Sequence, residues 1–135
     1  MMRPSLDLVF KSALMTESVP DAGFYTWDLP ENILYADGAL SALFGLDPSA
    51  AETGLPIEAY LERVHPDDRP RLAKTISDSI VGHHPQQETY RVMSALGYYT
   101  TVASYGRVFR DASGNPCRYV GIVIPAEADH TDKPH

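Results

Sequence analysis

The sequence predicts an α+β domain: a five-stranded antiparallel sheet with short helices on one face and an N-terminal amphipathic cap helix. Three observations lead there. Two strand-like segments flank a turn near the start of the chain, and three more with two strong turns fill its last third. Between these groups lie several short helical stretches and one longer amphipathic helix. The run Val64-His65-Pro66-Asp67-Asp68-Arg69 opens that longer helix. With 135 residues, the chain fits one domain, since domains commonly run to roughly 100–150 residues.

Residues 4–16 place Leu6, Val9, Phe10, Ala13 and Leu14 at i, i+3, i+4, i+7 and i+8, the spacing of one helical face. Ser5 suits the cap of that helix. Val19-Pro20-Asp21-Ala22-Gly23 breaks it, so residues 1–20 form a cap helix and connector ahead of the main domain at 21–125. Phe24 to Asp28 is dense in strand formers, Leu29-Pro30-Glu31-Asn32 turns, and Ile33 to Ala36 returns. Ala39 to Phe44 is a short helix stopped by Gly45. Asp47-Pro48 starts a brief turn, 52–56 is a loop, and Ile57 to Arg63 is a further short helix.

In the hinge, Asp67 is expected to cap the next helix, with Asp68 near the positive end of its dipole. Pro70 then falls in the first turn, where its missing N–H is not needed. The helix presents Leu72, Ile76 and Ile80 at i, i+4 and i+8, and Gly82 ends it. Thr89 to Met93 is a strand, and Ser94-Ala95-Leu96-Gly97 makes a hairpin turn. Tyr98 to Phe109 is a long strand, Asp111 to Pro116 turns, and Arg118 to Ile124 closes the sheet. Residues 126–135 read as a polar tail.

Composition narrows the function classes. The net charge of −7 argues against a nucleic-acid partner, whose phosphates need clustered Lys and Arg. No segment approaches the ~20 apolar residues of a membrane span. A single cysteine, Cys117, excludes an internal disulfide and any Cys-rich zinc site. Asp7 and Lys11 interrupt what would be a signal-peptide core, so a cytoplasmic location is expected.

Trp27-Asp28, Leu43-Phe44-Gly45 with Asp47-Pro48, Val64 to Arg69, Tyr90-Arg91, Gly97, Arg110-Asp111, Gly114, Pro116 and Gly121 follow one another on fitting elements. In that order they resemble PAS domains of the fold-3 branch, which carry a histidine-proline-aspartate-aspartate turn and a PAC segment. The resemblance covers about residues 22–124. It implies a non-catalytic sensor or interaction module of bacterial type, in which the N-terminal helix often builds a homodimer. Leu6, Val9, Phe10, Ala13 and Leu14 are then the candidate interface. Three positions depart from the branch: Thr89, Thr101 and Pro125 stand where glutamate, tryptophan and the start of an effector-linking signature are common. The change at Pro125 leads us to expect a stand-alone module acting on a signalling protein in trans.

No catalytic or metal-binding constellation emerges. His65 has Asp67 and Asp68 nearby in sequence, but a turn imidazole bonded locally accounts for it more simply. Haem-binding relatives use a histidine on the longer helix. Here Arg71 to Val81 contains none, and the adjacent pair His83-His84 follows the helix. Flavin-photoreceptor relatives carry their cysteine on a mid-domain helix, whereas Cys117 opens the last strand as a small β-edge residue. Haem and a covalent flavin adduct are therefore not expected, and the cofactor stays unassigned. A small-molecule cavity between the longer helix and the sheet is expected to be lined by Leu43, Leu72, Ile76 and Ile80 on the helical side. Tyr90, Val92, Val102, Val120 and Ile122 would line it from the sheet, with polar contacts from Tyr35, Thr101 and Ser104. Two alternatives stand beside this reading: a ligand-free interaction scaffold, and a cone-shaped α+β enzyme similar to ketosteroid isomerases with one buried carboxylate base.

Overall fold

The computed structural model describes residues 22–82 and 84–126. The expected cap helix with Leu6, Val9, Phe10, Ala13 and Leu14 lies outside them, as do His83 and residues 127–135 of the tail; Ala126 is buried and its N–H donates to the Thr101 carbonyl. Strands β1 (Gly23–Asp28) and β2 (Ile33–Ala36) are followed by helices α1 (Gly38–Phe44), α2 (Pro48–Thr53), α3 (Ile57–Leu61) and α4 (Arg69–Gly82). Strands β3 (Gln86–Met93), β4 (Tyr99–Arg110) and β5 (Pro116–Pro125) complete the described chain. The sheet order is β2-β1-β5-β4-β3, with every neighbouring pair antiparallel. The last strand thus occupies the centre of the sheet. Cys117 opens this central strand, not an edge, and its thiol donates to the Phe109 carbonyl at 3.3 Å.

Local chemistry sets the helix starts. Asp37 Oδ1 accepts the Leu40 N–H at 2.9 Å to open α1, and Gly45 closes it at φ 65°, a left-handed conformation that glycine adopts without a Cβ clash. The same device works at Asp47, which accepts from the Ala50 N–H at 3.0 Å. Asp47-Pro48 therefore starts a full helical turn and a half, where only a brief turn was expected. The loop expected at 52–56 is also ordered: Leu55 exchanges both backbone hydrogen bonds with Leu34, at 2.7 and 3.0 Å. Helix α3 has no cap from its own Pro56. Asn32, across the β1–β2 turn, supplies it by accepting the Ile57 N–H at 3.3 Å.

The hinge differs from expectation in one respect. Asp67 is not the helix cap; its side chain is 79% exposed. Helix α4 begins at Arg69, and the Leu72 N–H donates to the Asp68 carbonyl. The Asp68 carboxylate turns inward, away from its own helix, to the edge strand β3. It accepts from the Arg91 backbone N–H and Nε at 2.9 Å each, and from the far guanidinium nitrogen at 2.8 Å. A three-point, charge-assisted grip outcompetes simple capping. His65 is a turn residue: its N–H donates to the Arg91 carbonyl and its Nδ1 accepts from the Asp67 N–H at 3.1 Å. The turn brings that nitrogen 4.0 Å from the Asp67 carboxylate, closer than two positions on a regular helix surface would allow.

The helices cover one face of the sheet. Trp27, Leu34, Tyr90, Val92, Val102, Tyr119 and Val123 pack there against Leu40, Phe44, Tyr60, Val64 and Leu72. The other face carries Phe24, Tyr35, Tyr105, Phe109 and Val120, all exposed. Among the described residues no helix is long and apolar enough to cross a membrane.

Candidate functional site

A cavity of about 40 Å³ lies between the sheet and helices α3 and α4. Alternation along each strand decides which side chains reach it. Tyr25 and Trp27 come from β1, Gln86 and Tyr90 from β3, Ser104 from β4, and Tyr119 and Val123 from β5. Ile57, Tyr60 and Leu61 on α3, with Leu72 and Ile76 on α4, form the opposite wall.

Aromatic rings fill most of the interior. Tyr119 stacks on Tyr25 at 6.3 Å and lies against Trp27 at 5.6 Å, while Phe44 meets Tyr60 edge-on at 5.4 Å. Room for this cluster comes from two glycines paired across β4 and β5, Gly106 and Gly121. A Cβ on Gly121 would collide with the Tyr25 hydroxyl and the Tyr105 carbonyl, and one on Gly106 with the Tyr119 ring. Both strands therefore need glycine where the tyrosines approach the sheet.

The polar groups inside are few. Gln86 donates its amide to the Ser104 hydroxyl at 2.7 Å, and both residues are buried. The Tyr60 hydroxyl is buried without a hydrogen-bond partner among the described residues, and the buried Tyr119 hydroxyl lies beside that of Ser79. Burial pushes the Tyr60 and Tyr90 phenols up to about 12 and raises those of Tyr25 and Tyr119 as well. All four remain neutral through the physiological range. Among the described residues no Asp, Glu, Lys, Arg or His lines the space, so the isomerase-like alternative finds no carboxylate base among them.

Leu72, Ile76, Tyr90 and Ser104 stand at the cavity wall. Val92 and Val102 are fully buried on the same face but belong to solid core. Leu43 and Ile80 pack beside the core, half-buried, without reaching the space. Three expected lining residues are corrected. Thr101, Val120 and Ile122 alternate with Val102, Tyr119, Gly121 and Val123, so their side chains stand on the outer face. Tyr35 is likewise on the outer face, 42% exposed. Strand-based residues Tyr25, Trp27, Gln86 and Tyr119, and Tyr60 on α3, were missed. Gly106 and Gly121 were the available clue, because a glycine inside a strand marks the crowded side.

The fit of larger groups can be judged from size. A dry protein cavity of ~150 Å³ takes benzene, and this one is far smaller. A flavin ring or a haem does not fit this interior. Among the described residues no cluster of His, Cys, Asp or Glu could hold a metal ion.

A family model described as the PAS fold matches residues 33–123. No curated protein sequence matches the chain. Among solved structures, a sensory box histidine kinase/response regulator from Burkholderia thailandensis superposes with a TM-score of 0.72 at 20% identity, covering 94% of this chain and 88% of that one. The N-terminal domain of a diguanylate cyclase with PAS/PAC sensor from Marinobacter aquaeolei gives 0.71 at 21% identity, covering 81% and 98%. The PAS-B domain of Drosophila melanogaster Cycle, solved with bound ethylene glycol, gives 0.60 at 14% identity, covering 76% and 98%.

Proposed function

The chain belongs to the PAS family, and from that premise we propose that it is a sensory signal-transduction module with a ligand-binding interior and a dimer-forming outer face. A sensory role fits the family and the histidine kinase and diguanylate cyclase among its structural neighbours. PAS domains are in general sensory rather than catalytic, and we assign no reaction to this one. The observation that carries ligand binding is the cavity itself, which lies between the sheet and helices α3 and α4 with the buried Tyr60 hydroxyl unmatched in its wall residues. Natural interiors rarely leave such groups unmatched.

The dimer reading has separate support. Phe24 and Phe109 are 56% and 52% exposed on a sheet face that also presents Tyr105 and Val120. An apolar face of this kind calls for cover. The amphipathic segment at 4–16 precedes β1 by a short connector in the sequence, and we assign it to that face in a homodimer. The module would act in the cytoplasm on a signalling protein in trans, with ligand occupancy altering the sheet and that helix.

A ligand-free scaffold is the second reading, favoured by the aromatic filling that leaves so little space. Native mass spectrometry with an absorption spectrum of freshly purified protein separates the two. The ligand reading expects a dimer carrying a uniform added mass that denaturation releases. A bare dimer supports the scaffold, and a bare monomer removes both the ligand and the interface.

A further inference from the structure

Within the hinge, one ring nitrogen takes the place of a backbone-capping oxygen. His65 Nδ1 accepts the Asp67 N–H at 3.1 Å, the bond that Asn and Asp side chains commonly make to the backbone two residues on. An amide oxygen in that role accepts at every pH, whereas an imidazole nitrogen accepts only while it carries no proton. We propose that His65 is a proton-binding switch: a proton taken up from water at Nδ1 breaks the bond to the Asp67 N–H and resets the contact between the hinge and strand β4. The proposal requires no occupant in the interior cavity and no dimer.

The bond fixes the starting state. With Nδ1 accepting, the ring proton of neutral His65 sits on Nε2. A proton added at Nδ1 would set two donors 3.1 Å apart, so that contact has to open. The Asp67 carboxylate stands 4.0 Å from the same nitrogen and is largely exposed, free to turn and accept from the new N–H. The His65 side chain is itself 23% exposed, which gives water access to the ring. Histidine is the side chain that changes charge within roughly pH 5 to 8.

The surrounding charges leave this exchange to Asp67. Arg91 on β3 and Asp68 are engaged with each other, and the guanidinium holds the Asp68 carboxyl well below the usual carboxylate range. Arg69 donates to the Val64 and Glu62 carbonyls, and Arg63 to those of Phe44, Met93 and Ser94. Among the described residues Asp67 makes the one ion-pair contact to the ring, and Glu62, three residues earlier, is exposed. From β4 comes Tyr99, whose ring centroid lies 4.6 Å from that of His65.

The hinge is also where three elements meet. The His65 N–H donates to the Arg91 carbonyl at 2.8 Å, and its carbonyl accepts from the Asp68 and Arg69 N–H groups where α4 begins. Its imidazole supports Tyr99, the first residue of β4, just after a hairpin with Leu96 and Tyr98 exposed. Turning the ring from the backbone to the Asp67 carboxylate changes that support while the Asp68–Arg91 bonds keep α4 on the sheet. Mild acidification is thus read as an altered surface at the β3–β4 hairpin and not as unfolding.

Two-dimensional NMR of the full chain, from about pH 8 down to about pH 5, tests this on wild type and His65→Asn. In the wild type the Asp67 amide proton should move upfield in acid as its hydrogen bond is lost. Its midpoint should be that of the His65 ring, and the Tyr99 ring signals should follow with the same midpoint. His65→Asn retains an acceptor for the Asp67 N–H, so it should melt close to wild type at about pH 8 and show a flat Asp67 amide. An Asp67 amide that stays in place while the His65 ring titrates would overturn the switch, and that result needs the wild type alone. So would an Asp67 shift that persists in His65→Asn, because the proton would then be binding another group, such as the exposed His84. Tyr99 signals that stay in place, or move with a different midpoint, would overturn the coupling to β4.

Discussion

Asp68 shows how much one carboxylate can do in this fold. Its three hydrogen bonds to Arg91 fasten the start of α4 to the edge strand β3, and Arg71 adds a contact at 3.2 Å. The Arg91 guanidinium beside it holds the Asp68 carboxyl well below the usual carboxylate range. A carboxyl whose folded pKa is depressed contributes stability that is complete above its unfolded value, near ~3.9, and is lost as pH falls toward the folded one. Asp68→Asn should therefore cost about 2–3 kcal/mol at neutral pH, the scale of lost charge-assisted bonds, since Arg91 is partly exposed and its charge stays solvated. Urea denaturation from about pH 7 down to about pH 2 checks this: the gap between wild type and variant should narrow steadily below about pH 4. A gap independent of pH would mean that the carboxylate is not the group responsible. The sequence showed that two aspartates open a helix. Which one turns inward depended on Arg91, 23 positions away, and no local pattern carries that information.

At the level of elements, the link between the β1–β2 turn and α3 depends on Asn32. This residue holds φ 54°, a left-handed conformation uncommon for a residue with a Cβ. Its side-chain oxygen accepts from the Trp27 indole at 2.9 Å and from the Ile57 N–H, and its amide donates to Glu58 at 2.9 Å. That last bond also lowers the Glu58 pKa from its ordinary value. One turn residue thus secures a cavity aromatic and the wall helix together. Asn32→Gly keeps the backbone geometry and loses the bonds, with an expected cost of about 1–2 kcal/mol. Asn32→Ala should cost about 1 kcal/mol more, through the left-handed backbone. Trp27, the single tryptophan, reports both effects in urea titrations, with a red-shifted emission in the folded variants. Wild-type stability in Asn32→Gly would end this account of the latch. The strands illustrate a different limit of sequence reading. Along β5 the residues Tyr119 to Ile124 are apolar or glycine throughout, so polarity does not distinguish the faces. Thr101 and Val102 were both placed at the cavity although consecutive strand residues cannot share a face. Strict alternation from Gly106 and Gly121 recovers Tyr119, keeps Ser104 and sets Thr101, Val120 and Ile122 outside.

For the whole molecule, element order was the legible part. Hairpin, short helices, hinge, long helix and three strands follow from turn residues and caps that act locally, and the sheet order completes them. The cavity was less legible because it is what remains after distant aromatic rings have packed, and a volume of about 40 Å³ leaves no trace in periodicity. The outer face belongs to the same scale. If the segment at 4–16 builds the dimer there, removing residues 1–20 should give a monomer by light scattering, with the sheet and its helices retained by circular dichroism. A truncated protein that stays dimeric would move the interface elsewhere.

Central to the account is an interior cavity that takes a ligand between the sheet and helices α3 and α4. Electron density in the cavity, from crystals of protein purified and frozen without added polyols, tests it most directly. The account predicts density larger than a water molecule against the cavity walls at Leu72, Ile76 and Tyr90. An interior with no such density, or with water alone, would contradict it.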